Sequence, residues 1–318
     1  MNNENMNTKP SLLSHAGASQ QFLALIGLCL ISGFIVSLVG IVIGLLLFDL
    51  NFLKLGTLMK ETWKPGVMGF LKLSQFFSAI GLFVLPPIIL VWMRGKPVFS
   101  ELRISVKPHA GWVLFCMLLM VVQLPLINGL GALNAEMVFP DFLKGLENWM
   151  RVKEDETGVM TKAFLDMPTY LHLAEALLVM AVIPALGEEL LFRSAMQPII
   201  SKWTKMPHLS IWITAFIFSF IHFQFFGFLP RFLMGAFLGY LFYWTGNIWY
   251  SIAAHFVNNG LAVVMYFLVQ HKCIEETTDD LGVGQGSFPE IAVSLALAVG
   301  GIMLIRKKFG RNYPMPAN

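Results

Sequence analysis

Long apolar runs alternate with short polar, often basic, stretches along almost the whole chain of 318 residues. Eight runs stand out, at about 22–48, 73–93, 111–133, 170–200, 208–226, 230–245, 248–269 and 291–305. An α-helix needs roughly 20 apolar residues to cross the hydrocarbon core of a bilayer, and most of these runs approach or exceed that length. A spanning segment must satisfy its own backbone hydrogen bonds, so each run is expected to be helical. The pattern predicts an all-α polytopic membrane protein with about eight transmembrane helices. Residues 1–20 read as a polar N-terminal tail, 21–168 as helices 1–3 with a long acidic loop, 169–270 as a core of helices 4–7, and 271–318 as a polar loop, the last helix and a basic C-terminal tail.

Local signals refine this outline. Gly40-Ile-Val-Ile-Gly44 suits close helix packing, and Pro86-Pro87 predicts a kink in the second span. The connection Asn134–Met167 carries seven acids, yet its Phe139, Phe142, Leu143, Leu146, Trp149 and Met150 predict an amphipathic helix lying at the interface. Gly282-Val-Gly-Gln-Gly286 is no phosphate loop, because no strand–helix unit frames it.

Composition fits the same class. The chain is 56% hydrophobic and only 13% charged, against about 25% charged in soluble domains. Lysines and arginines sit mostly between the runs, as topology signals rather than a nucleic-acid patch. The expected partners are the lipid bilayer and a peptide or protein substrate, with no nucleic acid. The short loop with Arg94, Lys96, Arg103 and Lys107, together with Arg306, Lys307, Lys308 and Arg311, places both termini of this multi-pass chain in the cytoplasm. Cys29, Cys116 and Cys273 make no disulfide framework. The first run is longer than a secretory h-region and reads as a retained span. The ending Met315-Pro-Ala-Asn318 carries no prenylation box.

Against that apolar background, Pro184-Ala-Leu-Gly-Glu188-Glu189-Leu-Leu-Phe-Arg193 is anomalous. Each charge at the bilayer centre costs roughly 2.5–3.5 kcal/mol on insertion scales, so intramembrane ionisable residues point to function. Glu189 and Arg193 are four apart, where acid and base meet on one helix face. Their ion pair has a purely structural reading too, as a pin between helices. Glu188, turned about 100° away, has no such local partner.

Two more polar sets follow in later runs: Phe218-Ser-Phe-Ile-His222 and His255-Phe-Val-Asn-Asn259. Each alone reads as helix packing; together with Glu188 they supply a carboxylate, two imidazoles and an amide, enough to activate water and stabilise an oxyanion. Glu188, His222 and His255 also match a two-histidine, one-carboxylate zinc set, which leaves a divalent metal open as a cofactor. Asn258 is the packing neighbour of Asn259, Phe218 a wall of the cavity, and His172 and Glu175 solvated groups. Depth raises a difficulty: at 1.5 Å per residue His255 lies roughly 12 Å and His222 roughly 21 Å from the starts of their runs. The two meet only if the fifth run begins outside the membrane or tilts strongly.

Glu188-Glu189-x-x-x-Arg193, Phe218-x-x-x-His222 and His255-x-x-x-Asn259, in that order, resemble the three motifs of the CAAX protease and bacteriocin-processing (CPBP, or Abi) family. These are intramembrane endopeptidases related to the type II CAAX prenyl endoproteases. The resemblance implies an eight-helix membrane fold and peptide hydrolysis near the membrane. It implies Glu188 as general base with His222 on the attacking water, His255 and Asn259 stabilising the oxyanion, and Glu189 with Arg193 orienting the site. H-E-x-x-H is absent, which favours water activation without obligatory zinc. Two other functions use the same residues: a proton-coupled transporter, since Glu, His and Arg also build relays, and a non-catalytic immunity or scaffold protein. Ser219 and Ser251 lack the Gly-x-Ser-x-Gly setting of a serine hydrolase.

Overall fold

The computed structural model describes residues 11–51, 53, 56, 64–275, 281–284 and 286–310. Lys9, Lys54, Lys60, Gln285, Arg311 and the ending Met315–Asn318 lie outside them. Among the described residues nine long helices make up the body: α1 (Ala18–Leu47), α2 (Gly66–Met93), α3 (Ala110–Ala135), α4 (Lys144–Phe164), α5 (Tyr170–Thr204), α6 (Pro207–Phe220), α7 (Phe228–Thr245), α8 (Ile248–Gln270) and α9 (Phe288–Phe309). No strand occurs among the described residues. Helices α1, α2, α3, α5, α8 and α9 are long and apolar enough to cross a membrane, and α6 is a shorter apolar helix. With α7 they account for the eight runs of the sequence. The chain is an integral, multi-pass, all-α membrane protein.

Helix α1 turns Leu30, Phe34, Leu38 and Leu46 outward, exposed as lipid-facing residues are. Its other side meets α2 through small residues. A Cβ on Gly40 would fall 2.5 Å from Phe77 Cβ, and one on Gly44 would fall 2.7 Å from Phe70 Cδ2. The backbones approach because nothing projects between them. The Pro86-Pro87 signal appears as a widened π-type turn at Ile80–Val84. Prolines lack the N–H that would close the helical ladder onto the preceding turn. Ser32 Oγ of α1 donates to Gly81 O at 2.6 Å beside that turn.

The break in α3 has the same origin. The helix interrupts at Gln123, ahead of Pro125, and Ser294 of α9 bridges the gap: its Oγ donates to Val122 O (2.7 Å) and accepts from Leu126 N–H (3.3 Å). Inside the bundle, α8 packs against α3, α5 and α7, with Ile248, Ala254 and Val263 buried.

Helix α4 is longer than the expected interfacial helix, running to Phe164. Leu146, Trp149, Val152 and Val159 are exposed along it, as is Phe142 in the turn before it. It is anchored by Glu147, which is buried and accepts from Lys144 Nζ (3.0 Å), Phe139 N–H (3.1 Å) and Arg151 Nε (2.9 Å). The Lys144 bond, followed by the Phe139 amide, holds the Glu147 carboxyl down at about 2. The fifth apolar run differs from expectation. Helix α6 stops at Phe220, and a turn and a 3₁₀ turn (Phe225–Gly227) follow before α7. Phe223 has a positive φ of 53° there, and Ser219 Oγ donates to Phe228 O at 2.7 Å, closing the turn. Apolar residues in the turn conceal the helix end from a hydropathy reading.

Two outcomes are expected. Gly40→Leu overpacks the α1–α2 contact at a cost of about 1–3 kcal/mol and lowers the melting temperature in detergent, whereas Gly27→Leu, where a Cβ meets nothing within 4 Å, leaves it unchanged. A carboxyl held low when folded stabilises above its unfolded value, and that contribution is lost as pH falls through the folded one. Hydrogen exchange of α4 should therefore quicken between pH 4.5 and pH 2, and Glu147→Gln should quicken it already at pH 7.

Candidate active site

Helix α5 carries the acids, and it is not a regular α-helix. Two π-type turns, Leu178–Val182 and Leu190–Met196, bracket the segment Ile183–Glu189. Such widened turns occur disproportionately at functional sites. Pro184 explains the first: without an N–H it cannot bond to Met180 O, four residues earlier. That orphaned carbonyl accepts instead from Asn259 Nδ2 of α8, at 3.2 Å. Asn258 Nδ2 in turn donates to Asn259 Oδ1 at 3.1 Å.

The two glutamates part company here. Glu189 is fully buried; its Oε2 accepts from Arg193 Nε at 3.0 Å and its Oε1 from His255 Nδ1–H at 3.0 Å. Arg193 is equally buried, its guanidinium 5.3 Å from the centre of the Phe218 ring. Arg193 Nη1 and Nη2 have no acceptor among the described residues. Glu188 instead faces a cavity of about 580 Å³, which it lines with Phe218, His222, Arg231, His255 and Asn259. Its Oε2 stands 3.8 Å from His255 Nε2.

The imidazoles are held in defined tautomers. Phe218 O can only accept, so the 2.7 Å contact assigns the proton of His222 to Nδ1 and leaves Nε2 with a lone pair. Glu189 accepts the Nδ1–H of His255, whose Nε2 is the nitrogen nearest Glu188. The depth difficulty resolves through the early end of α6. His222 is not on the helix body but just beyond it, where its ring caps the terminal carbonyl of Phe218. The acid and both imidazoles line one cavity. The imidazole nearest Glu188 is that of His255, and no direct Glu188–His222 hydrogen bond forms.

As placed, Glu188, His222 and His255 are not gathered into a zinc ligand set: among the described residues no group of three His, Cys, Asp or Glu side chains stands close enough to hold a metal ion. Two cavity residues escaped the sequence reading. Arg231 and Gln224 both line the cavity. The available signal was a lone base within the apolar run 230–245.

The Glu189–Arg193 pair generates a sharp expectation. Removing one partner of a buried pair leaves an uncompensated charge and costs about 3–5 kcal/mol. Arg193→Met should lower the melting temperature in detergent markedly, and Glu189→Gln with Arg193→Met should recover part of the loss.

No curated protein and no solved structure matches the chain. Residues 171–261, which contain all three motifs and run from the start of α5 into α8, match the family model described as Type II CAAX prenyl endopeptidase Rce1-like; the region that builds the cavity is thus similar to that protease family, in keeping with its motifs.

Proposed function

We propose that this protein is an intramembrane endopeptidase of the CAAX-processing type, with Glu188 as its general base. The observation that carries the reading is the division of labour between neighbouring carboxylates. Glu189 is sequestered by Arg193 and His255, while Glu188 opens onto the cavity beside both imidazoles. Similarity of this region to a CAAX prenyl endopeptidase family supports the same chemistry.

In the proposed reaction a water lies between Glu188 and the Nε2 lone pair of His222. Glu188 takes a proton as the water oxygen adds to the scissile carbonyl carbon. The resulting oxyanion is met by the Nε2–H of His255 in its imidazolium form, with the second amide hydrogen of Asn259 as a further donor. Glu188 then returns its proton to the amide nitrogen, the C–N bond breaks, and a carboxylic acid and an amine leave. Glu189 holds the His255 ring, and Arg193 holds Glu189. Asn259 has a positioning duty besides, since its bond to Met180 O secures the break in α5 that presents Glu188.

Purified protein is expected to cleave a prenylated CAAX-type peptide in detergent or nanodiscs. Glu188→Gln should lower kcat at least about 10²–10⁴-fold, the usual worth of a general base, with the melting temperature and the KM little changed. His222→Phe should act in the same direction. Cleavage persisting in Glu188→Gln at the wild-type rate would overturn the reading.

A further inference from the structure

We infer that Arg231 and Gln224 form an anion-binding fork in the cavity wall that holds the free C-terminal carboxylate of a peptide. The inference rests on the endopeptidase reading for the identity of the ligand, though not for the existence of the fork.

Arg231 sits in the first turn of α7 and lines the same cavity as Glu188. Its Nη1 donates to Gln224 O at 3.4 Å and its Nη2 donates to Gln224 Oε1. Both acceptors come from the turn between α6 and α7, so the guanidinium is aimed before any ligand arrives. These bonds use two of the five N–H donors of an arginine. No carboxylate stands within ion-pair distance of it among the described residues. Glu154 acts on it from beyond that distance, with its Oε2 held by Phe226 N–H at 3.1 Å.

Glu154 and Glu188 lie in the field of this half-buried cation but beyond ion-pair distance, so it keeps N–H donors to offer an anion in a low-dielectric wall. Arginine presents parallel N–H groups that match a carboxylate two-to-two. Gly227 also lines the cavity, and a Cβ there would sit in ordinary van der Waals contact with Arg231 Nη2, at 3.4 Å. Within one cavity the chain therefore carries a water-activating carboxylate and a fixed cation. A peptide C-terminus carries the matching charge on its main chain whatever its sequence, whereas the main chain of an internal segment carries none. The fork thus selects substrates cut close to their C-terminus.

The test uses a fluorescent, prenylated Cys-aliphatic-aliphatic-X peptide made as the free acid and as the C-terminal amide. Binding is measured to the Glu188→Gln protein in phosphatidylcholine nanodiscs, and cleavage with the wild type. The acid should bind on the order of 10–100-fold more tightly than the amide, the range of a charge-assisted hydrogen-bond pair. Arg231→Gln in the same background should erase that preference. Arg231→Lys, which keeps the charge but loses the fork, should retain only part of it; it also covers the case in which the glutamine variant fails to fold. In the wild type the preference should appear chiefly in KM.

Equal binding of acid and amide, or a preference that survives Arg231→Gln, would overturn the inference whatever cleavage shows. So would displacement of the acid by phosphatidylglycerol in the nanodisc, which would make a lipid headgroup the ligand, and so would binding of neither form. An acid preference that depends on Arg231, with neither form cleaved by the wild type, would uphold the fork and overturn the hydrolase reading instead.

Discussion

A carboxylate, a guanidinium and an imidazole locked together in the centre of a lipid-embedded bundle govern the rest of this structure. Glu189 binds Arg193 along its own helix and His255 across to α8. Charges so deeply buried persist only when paired and hydrogen-bonded. The pairing fixes the rotation of α5 and sets α8 against it, and with those settled Glu188 has one direction left to point. Stability and candidate chemistry thus meet in adjacent residues with opposite fates.

The surrounding helices supply irregularity in the right places. Pro184 opens α5, and Asn259 covers the carbonyl it exposes. Pro125 opens α3, and Ser294 covers both sides of that gap. In each case a proline removes a main-chain donor and a polar side chain from another helix satisfies what remains. In a medium without water to do so, the partner must come from protein, which makes these breaks specific points of attachment between helices.

Much of the fold was legible because hydropathy measures the property that membrane insertion tests. The eight apolar runs correspond to eight helices, and the Glu189–Arg193 pairing follows from i, i+4 spacing alone. The end of α6 was not legible, because Ile221, Phe223, Phe225 and Phe226 are as apolar in a turn as in a helix. The extent of α4 was missed for the opposite reason: its polar second half looks like a loop until its buried side is known. In the candidate site, motif spacing named the participants but not their partners. Which imidazole lies nearer Glu188 depends on how far α8 sits from the end of α6, which is a tertiary distance. Arg231 escaped because one arginine near the start of an apolar run resembles an ordinary flank.

The order of the contacts along the chain has a consequence for biogenesis. Glu189 and Arg193 are four residues apart, but His255 lies 66 residues beyond Glu189 and Asn259 lies 79 beyond Met180. When α5 first meets the bilayer during synthesis, α8 has not yet been made. At that moment the local arginine is the one partner already at hand for Glu189, and it offsets part of the expense of placing charge in hydrocarbon. Glu188 has no equivalent escort, so the nascent helix enters with one acid exposed until the last third of the polymer arrives to enclose it.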